Sequence, residues 1–224
     1  MATGSGRRGH RPALTRERIV EAAVRVADAG GATAVSMRNV GRELGVEAMS
    51  LYHHIANKDA LLDALVDRIF ADIELPERDR PWRAAMRDRA ASARAVLARH
   101  PWALSLVDSR PTPGPALLRH HDAVLGSLRR GGFPVALAAH AFSVIDAYVY
   151  GFVLTESSLP FQSEGEVADV AGGILAAMPG DAYPYLAELI TEHALVPGYS
   201  HRDEFGFGLD LVLDGLEDRL ARVS

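Results

Sequence analysis

Apolar residues recur at intervals of three and four along nearly the whole chain, the period of helices with one face turned inward. Thr15 is placed to cap the first helix, with Arg18 rather than an acid at the third position, so the capping box is incomplete. Ile19, Ala22, Ala23, Val26 and Ala27 then share a face, and the run "AGGA" (29–32) stops it. Ser36 can cap a second helix carrying Met37, Val40 and Leu44. "GVE" (45–47) reads as a tight break, followed by a short third helix over 48–54. Asn57 caps a fourth, from Lys58 to about 73, with Leu61, Leu62, Leu65, Ile69 and Ile73 inward.

After a proline-bounded polar junction at 74–81, helices are predicted over 82–99 (Met86, Ala90, Ala93 and Leu97 on one face) and 116–130. "SRPTPGP" (109–115) cannot continue a helix, and a long apolar helix opens at Pro134. One or two helices follow over 167–178 and 182–194, and a last one over about 203–221. In that last helix Phe205, Leu209, Val212, Leu213, Leu216 and Leu220 form a stripe. Gly206, Gly208 and Gly215 each weaken it by about 1 kcal/mol, which suggests that another helix approaches closely. No strand-like alternation of useful length and no internal repeat are present. The fold class is all-α, with about nine or ten helices. A basic arm (1–14), a helix-turn-helix unit (15–60) and a helical body (61–224) make up the expected organisation.

Charge sharpens this division. Residues 1–58 hold nine Lys/Arg against five Asp/Glu, a net of +4, and the remainder holds 15 against 24, a net of −9. A basic contact module on an acidic body points toward nucleic acid; the alternative is scatter over solvated faces. No cysteine is present, which excludes disulfides and thiolate-bound metals and fits a cytoplasmic setting. "VALAAHAFSVIDAYVYGFVL" (135–154) is long enough to span a bilayer. Asp146 in its middle would cost about 2.5–3.5 kcal/mol there, and burial by protein on most sides accounts for it better. No membrane partner is expected.

The segment "MRNVGRELGVEAMSLYHHIANKDALLDAL" (37–65) carries the chemistry. Helix, glycine-containing turn and helix is the arrangement in which the second helix meets the major groove and the first braces it. Leu51 and Ile55 face inward, leaving Ala48, Met49, Ser50, Tyr52, His53 and His54 on or beside the open side. Met49 and Ala48 can touch thymine methyls; Ser50 and the imidazoles can bond base edges or phosphates. Tyr52 offers a phenol to a phosphate, and Lys58 adds its charge at a helix start. Two other readings stay open: Tyr52 as a packed core aromatic, and His53–His54 as metal ligands. Adjacent helical positions diverge by about 100°, and no carboxylate is placed to complete such a metal site.

The stretch "TRERIVEAAVRVADAGGATAVSMRNVGRELGVEAMSLYHHIANKDALLDALVDRIF" resembles the N-terminal domain of the tetracycline-repressor (TetR) family along its length. "LGVEAMSLYHHIANKDALL" follows that family's pattern of Leu-Gly-Val, a pair, a small hydroxyl residue, Leu-Tyr, a pair, Asn-Lys and two leucines. The resemblance implies DNA contacts from Ser36 and Arg38 at the second helix, from Ala48, Met49, Ser50, Tyr52, His53 and His54 on the recognition helix, and from Lys58 beyond it. Arg7, Arg8 and Arg11 of the arm are expected to add minor-groove or phosphate contacts.

It extends into the body. Trp82, "RPT" (110–112), "GGF" (131–133), "GFVL" (151–154) and "FGFGLDLVLDGLEDRL" (205–220) follow the order of the tetracycline repressors' own C-terminal domain. That implies a ligand-binding and dimerisation domain, with a homodimer paired through the helix at 134–156 and the final helix. It also implies a small-molecule effector that releases the protein from a palindromic double-stranded operator. The positions matching that family's drug–magnesium ligands, a His and a Glu, hold Leu106 and Thr155, with Glu156 one residue off. Tetracycline–magnesium is therefore not the expected effector, and neither a metal nor a cofactor is expected. The candidate pocket residues are Arg89, Ala93, Trp102, Leu106, Arg110, Leu117, Phe152 and Thr155, with an anionic or carbonyl group of the effector meeting Arg110 or Arg89. An enzyme is the alternative class, but no GxSxG, HExxH, phosphate-loop or zinc spacing occurs, and "FGFG" lies in helical context. A ligand-independent DNA-binding protein is the other alternative.

Overall fold

Side-chain caps set the starts of three of the first four helices. Thr15 Oγ1 accepts the Arg18 amide (3.3 Å), Ser36 Oγ the Asn39 amide (3.1 Å) and Asn57 Oδ1 the Ala60 amide (2.8 Å). The computed structural model describes residues 13–107, 112–161 and 163–223, so the basic arm's Arg7, Arg8 and Arg11, and Arg110, lie outside the described residues. Among them there are eleven α-helices and no strand: α1 Arg16–Ala34, α2 Met37–Leu44, α3 Ala48–Leu51, α4 Lys58–Ala71, α5 Trp82–Arg99, α6 Leu104–Val107, α7 Pro115–Arg130, α8 Val135–Ser158, α9 Glu164–Ala177, α10 Pro184–Leu189 and α11 His201–Ala221.

Two local departures from the expected pattern have simple causes. In α1 the helical path breaks at Gly30 (φ −145°) and Gly31 (φ 74°), so the glycine pair ends the regular helix even though hydrogen bonding carries on to Ala34. The third helix is regular only to Leu51. Beyond it the chain tightens, with the Tyr52 amide bonding Met49 O and the His54 amide bonding Leu51 O. Gly45 makes the preceding turn with φ 64°, where a side chain would be strained.

One continuous apolar core runs from Ile19 in α1 to Leu216 in α11. The fourth helix joins the two halves of it. Its Leu61, Leu65, Ile69 and Phe70 are buried, and it packs on α1 on one side and α7 on the other. Each such side chain contributes about 1.5–3 kcal/mol when fully buried, so the attachment of the helix-turn-helix unit is chiefly apolar. Two carboxylates add direction. Asp67 of α4 accepts the Ala116 and Leu117 amides (2.7 and 3.0 Å), capping α7 from outside. Asp28 of α1 meets His100 Nδ1 and accepts the indole N–H of Trp102, both at 2.7 Å.

In the body α5 packs on α8, and α8 on α7 and α11. A row of α5 arginines meets acids on α11 and α8: Arg83 with Asp214 and Glu217, Arg87 with Asp210, and Arg94 with Glu156. Helix α8 is long and apolar enough to cross a membrane, yet Asp146 within it is ion-paired inside the protein. Burial on most sides is not what a single chain provides. Ala138, Ala141, Ile145, Val149 and Val153 are covered, while Val144, Gly151 and Leu154 are exposed. The glycines of α11 divide similarly. A Cβ at Gly208 would overlap the Tyr148 hydroxyl, which donates to Phe205 O (2.9 Å). Gly206 and Gly215 meet nothing within 4 Å, so close approach within one chain explains only one of the three.

Replacing Asp67 by Ala leaves two amides at the start of α7 without their acceptor. We expect a loss of about 1–2 kcal/mol, read from urea denaturation at fixed protein concentration; an unchanged midpoint would show that water replaces the carboxylate fully.

Candidate nucleic-acid interface and buried polar core

The third helix is held by two side chains. Leu51 (0% exposed) and Ile55 (3%) enter the core, and at about 100° per residue Met49 and His53 fall on the opposite side. Met49 is 72% exposed and Tyr52 45%, so Tyr52 is not a packed core aromatic. His53, His54, Lys58 and Arg38 are exposed, and Ser36, Ala48 and Ser50 are half-buried at the edges. No third His, Asp or Glu joins His53 and His54 as a metal cluster among the described residues. The nine residues named from sequence thus lie on the α2–α3 unit and the start of α4, most of them with their side chains open to solvent. The flanking guanidinium of Arg25 is held by Glu43 (2.7 Å), which braces α1 against α2.

The second feature lies deep in the body. Arg89 of α5, His120 of α7 and Asp146 of α8 are all buried and meet each other. Arg89 forms an ion pair with Asp146 and donates from Nε to His120 Nε2 (3.0 Å). The Tyr150 hydroxyl donates to the other Asp146 oxygen (3.3 Å). A guanidinium has no acceptor, so Nε2 of His120 must accept and the ring proton sits on Nδ1. That nitrogen is buried and has no partner among the described residues. Burial, with the Arg89 charge and then His121 adding to it, pushes His120 down from its ordinary value of 6.5 to about 3. His121 is also lowered, chiefly by burial, with Asp146 opposing and Arg89 assisting. The ring of His120 stands edge-on to Phe70 of α4 at 5.5 Å, which connects this network to the helix shared with the α2–α3 unit.

Of the eight pocket residues named from sequence, Arg110 lies outside the described residues; Ala93, Trp102 and Leu117 belong to the apolar core, and Leu106 and Phe152 pack against it. Arg89, Ala93 and Leu117 are buried in the core to which α5 and α7 contribute. Trp102 is turned to α1 through Asp28, and Leu106 packs against the core from α6. Phe152 stacks on His201 (4.9 Å) and meets Phe205 edge-on, with the Arg94 guanidinium 4.8 Å from both phenyl centroids. Thr155 is exposed and its hydroxyl donates to Gly151 O. Glu156 is engaged by Arg94 through two bonds (3.1 and 2.7 Å). His120, Tyr150 and the pairing of Asp146 with Arg89 escaped the sequence reading. A signal existed: an arginine on the apolar face of α5, beside Met86, Ala90 and Ala93, needs a buried acid, and Asp146 is the acid in the middle of the long apolar helix α8.

Residues 19–65 match the family described as bacterial regulatory proteins, tetR family, and residues 75–220 match the tetracyclin repressor-like C-terminal domain. The chain belongs to the TetR family. Similar TetR-family proteins include the HTH-type transcriptional repressor DrrR1 of Streptomyces coeruleorubidus, 37% identical over 227 residues that cover 96% of this chain and 82% of that protein. The tetracycline repressor protein class D of Escherichia coli is 31% identical over 150 residues, covering 64% of this chain and 66% of that one. Among solved structures, apo ActR from Streptomyces coelicolor superposes with a TM-score of 0.77 at 28% identity, covering 94% of this chain and 98% of that chain. ActR in complex with actinorhodin gives 0.75 at 29% identity, covering 91% and 95%. As a TetR-family regulator the protein joins an N-terminal DNA-binding helix-turn-helix to a C-terminal helical domain.

The state of His120 has a measurable consequence for this TetR-family fold. The unfolded chain takes up a proton on this residue below pH 6.5, whereas the folded chain does not until about pH 3. Between those values the unfolded state holds more protons, so His120 makes stability fall as pH falls, by at most about 1.4 kcal/mol per pH unit. His120→Gln keeps an acceptor for Arg89 and removes the titration. Urea denaturation from pH 7 to pH 4 should show a shallower loss in the variant, by up to one proton; parallel curves would mean that His120 is protonated in the folded state.

Proposed function

We propose that the protein is a homodimeric transcriptional repressor that binds a palindromic operator and is released by a small molecule held in the C-terminal domain. The observation that carries this is the α2–α3 surface: an anchored short helix whose outward side chains are hydrogen-bonding or apolar groups, with Arg38 and Lys58 beside it. Two copies are needed to place two such helices one turn of duplex apart. The exposed apolar residues Val144 and Leu154 on α8 and Phe207 and Leu211 on α11 favour these helices as the pairing face. A closed two-fold contact there would also give Gly206 and Gly215 a neighbouring helix. The similarity to a named repressor favours repression, and a DNA partner favours the cytoplasm.

The effector site is assigned to the core between α5, α7 and α8, where Arg89 can meet an anionic or carbonyl oxygen. Actinorhodin, bound by the similar ActR, is the first compound to test. With Leu106 and Thr155 at the positions of the family's magnesium ligands, an effector other than tetracycline–magnesium is favoured. Release requires that the effector prefer the arrangement in which the recognition helices are out of step with the groove. A coupling of about 1–3 kcal/mol gives roughly 5- to 150-fold weaker operator binding.

The experiment begins with selection of bound duplexes from a random library by the purified full-length protein, with sedimentation mass measured on the same sample. A two-chain mass and a palindromic site with steep salt dependence are expected. A one-chain mass, or binding without sequence preference, would refute the reading. On the selected site Tyr52→Ala should cost about 1–3 kcal/mol with unchanged helicity by circular dichroism, and unaltered affinity would remove Tyr52 from the contact set. Actinorhodin titrated into the complex should lower its affinity at least fivefold; no change would eliminate that compound as an effector.

A further inference from the structure

The base-reading chemistry open to α3 is narrower than its position suggests. Bidentate recognition of guanine uses Arg or Lys, and that of adenine uses Asn or Gln. Residues 48–54 read Ala, Met, Ser, Leu, Tyr, His and His, with none of these four types. The whole chain holds two asparagines and one glutamine. Asn39 donates its carboxamide to Ala34 O (2.7 Å) and Asn57 spends its oxygen on the Ala60 amide, so both amides of the helix-turn-helix unit serve the backbone. Gln162 lies far along the chain, between α8 and α9. The cations Arg38 and Arg42 belong to α2 and Lys58 to α4, flanking α3 and suited to phosphates.

What α3 presents at its centre is Met49. It is 72% exposed, lies opposite the buried Leu51 and Ile55, and packs against nothing in the core. An unbranched thioether adapts its shape to an apolar partner. In the major groove the C5 methyl of thymine is the one apolar landmark on a base edge. We propose that Met49 is a specificity-determining residue and that each operator half-site carries a thymine whose methyl group packs on its thioether. This rests on the reading of α3 as the recognition helix. Ala48, half-buried at the edge of the same surface, is the competing apolar contact, and His53 supplies a hydrogen bond beside it rather than a substitute for it.

The test uses the full-length protein and the duplex it selects from a random library. Each thymine of the selected site is replaced in turn by deoxyuridine, which removes the methyl group and keeps the pairing. Binding is followed by fluorescence anisotropy at one salt concentration. At one position per half-site we expect roughly fourfold weaker binding, and about tenfold or more when both half-sites are changed, the scale of one buried methyl group lost per contact. Met49→Ala, checked for unchanged helicity, should bind the thymine site more weakly and no longer distinguish it from the uracil site. If a specific site is recovered but every uracil duplex binds as the thymine duplex does, the inference is overturned while the repressor reading stands. If uracil sensitivity survives in Met49→Ala, the methyl belongs to another residue and the assignment to Met49 is wrong. Recovery of no specific site overturns both.

Discussion

A helix of one turn has no stability of its own in water, and α3 exists because Leu51 and Ile55 bury themselves in a core that α4 shares with the rest of the molecule. Without that anchor the residues meant to face outward would have no fixed direction. With it, four helical residues and a tightened turn suffice, since their geometry is imposed by α1, α2 and α4 rather than by their own hydrogen bonds. The same constraint makes the recognition surface sensitive to α4. Any displacement of Leu61, Leu65 or Phe70 is felt by α3 within the same packed cluster, because such interiors transmit strain instead of absorbing it.

The buried Arg89–His120–Asp146 network stands in tension with that apolar economy. Removing three ionisable groups from water costs more than their attraction reliably returns, and a well-packed hydrophobic substitute is often as stable. Stability alone therefore gives no reason to keep it. Its place gives one: it ties α5, α7 and α8 together at a point where His120 also touches Phe70 of α4. A polar group entering this core would compete for the arginine or satisfy the unpartnered His120 Nδ1, and either event changes packing against α4. The link between an effector and the DNA surface would then be an exchange of hydrogen bonds in the core.

Much of this was legible in the residues, and what was missed has a common cause. Caps, breaks and inward faces follow local rules, so Thr15, Ser36 and Asn57 and the apolar faces of α4 and α5 could be placed from spacing alone. The limits of α3 were overextended because the 3.6-residue period does not distinguish an α-helix from a tighter turn over so few positions. Long-range polar pairing is not local. Asp146 demanded a partner, but finding Arg89 requires knowing that α5 and α8 pack together, as adding His120 requires knowing that α7 joins them. Nothing local distinguishes Asp28 and Asp67 from other acids, and only the tertiary fold brings them to Trp102 and to the start of α7. The side-chain partners of the pocket residues carried over by resemblance are long-range in the same way. A sequence position transfers along a helix, but the direction of its side chain depends on neighbours that differ, as with Trp102 drawn to Asp28 and Phe152 drawn under Arg94.

The two carboxylates clarify how the halves are joined. Asp28 sits on α1 and Asp67 on α4, the helix that joins the two halves, and each accepts or meets two groups from the segment between α5 and α7 or the start of α7. Their partners, His100 and Trp102 on one side and the Ala116 and Leu117 amides on the other, bracket the connection between α5 and α7. Apolar packing of α4 supplies most of the adhesion but little direction, since side chains of similar volume can repack with small cost. Hydrogen bonds to a carboxylate are directional and charge-assisted. Two of them on separate helices restrict rotation of the DNA-binding unit about the axis of α4, which a single attachment would leave open. The orientation of α3 therefore depends on where the body holds His100, Trp102 and the start of α7 as much as on the helix-turn-helix itself.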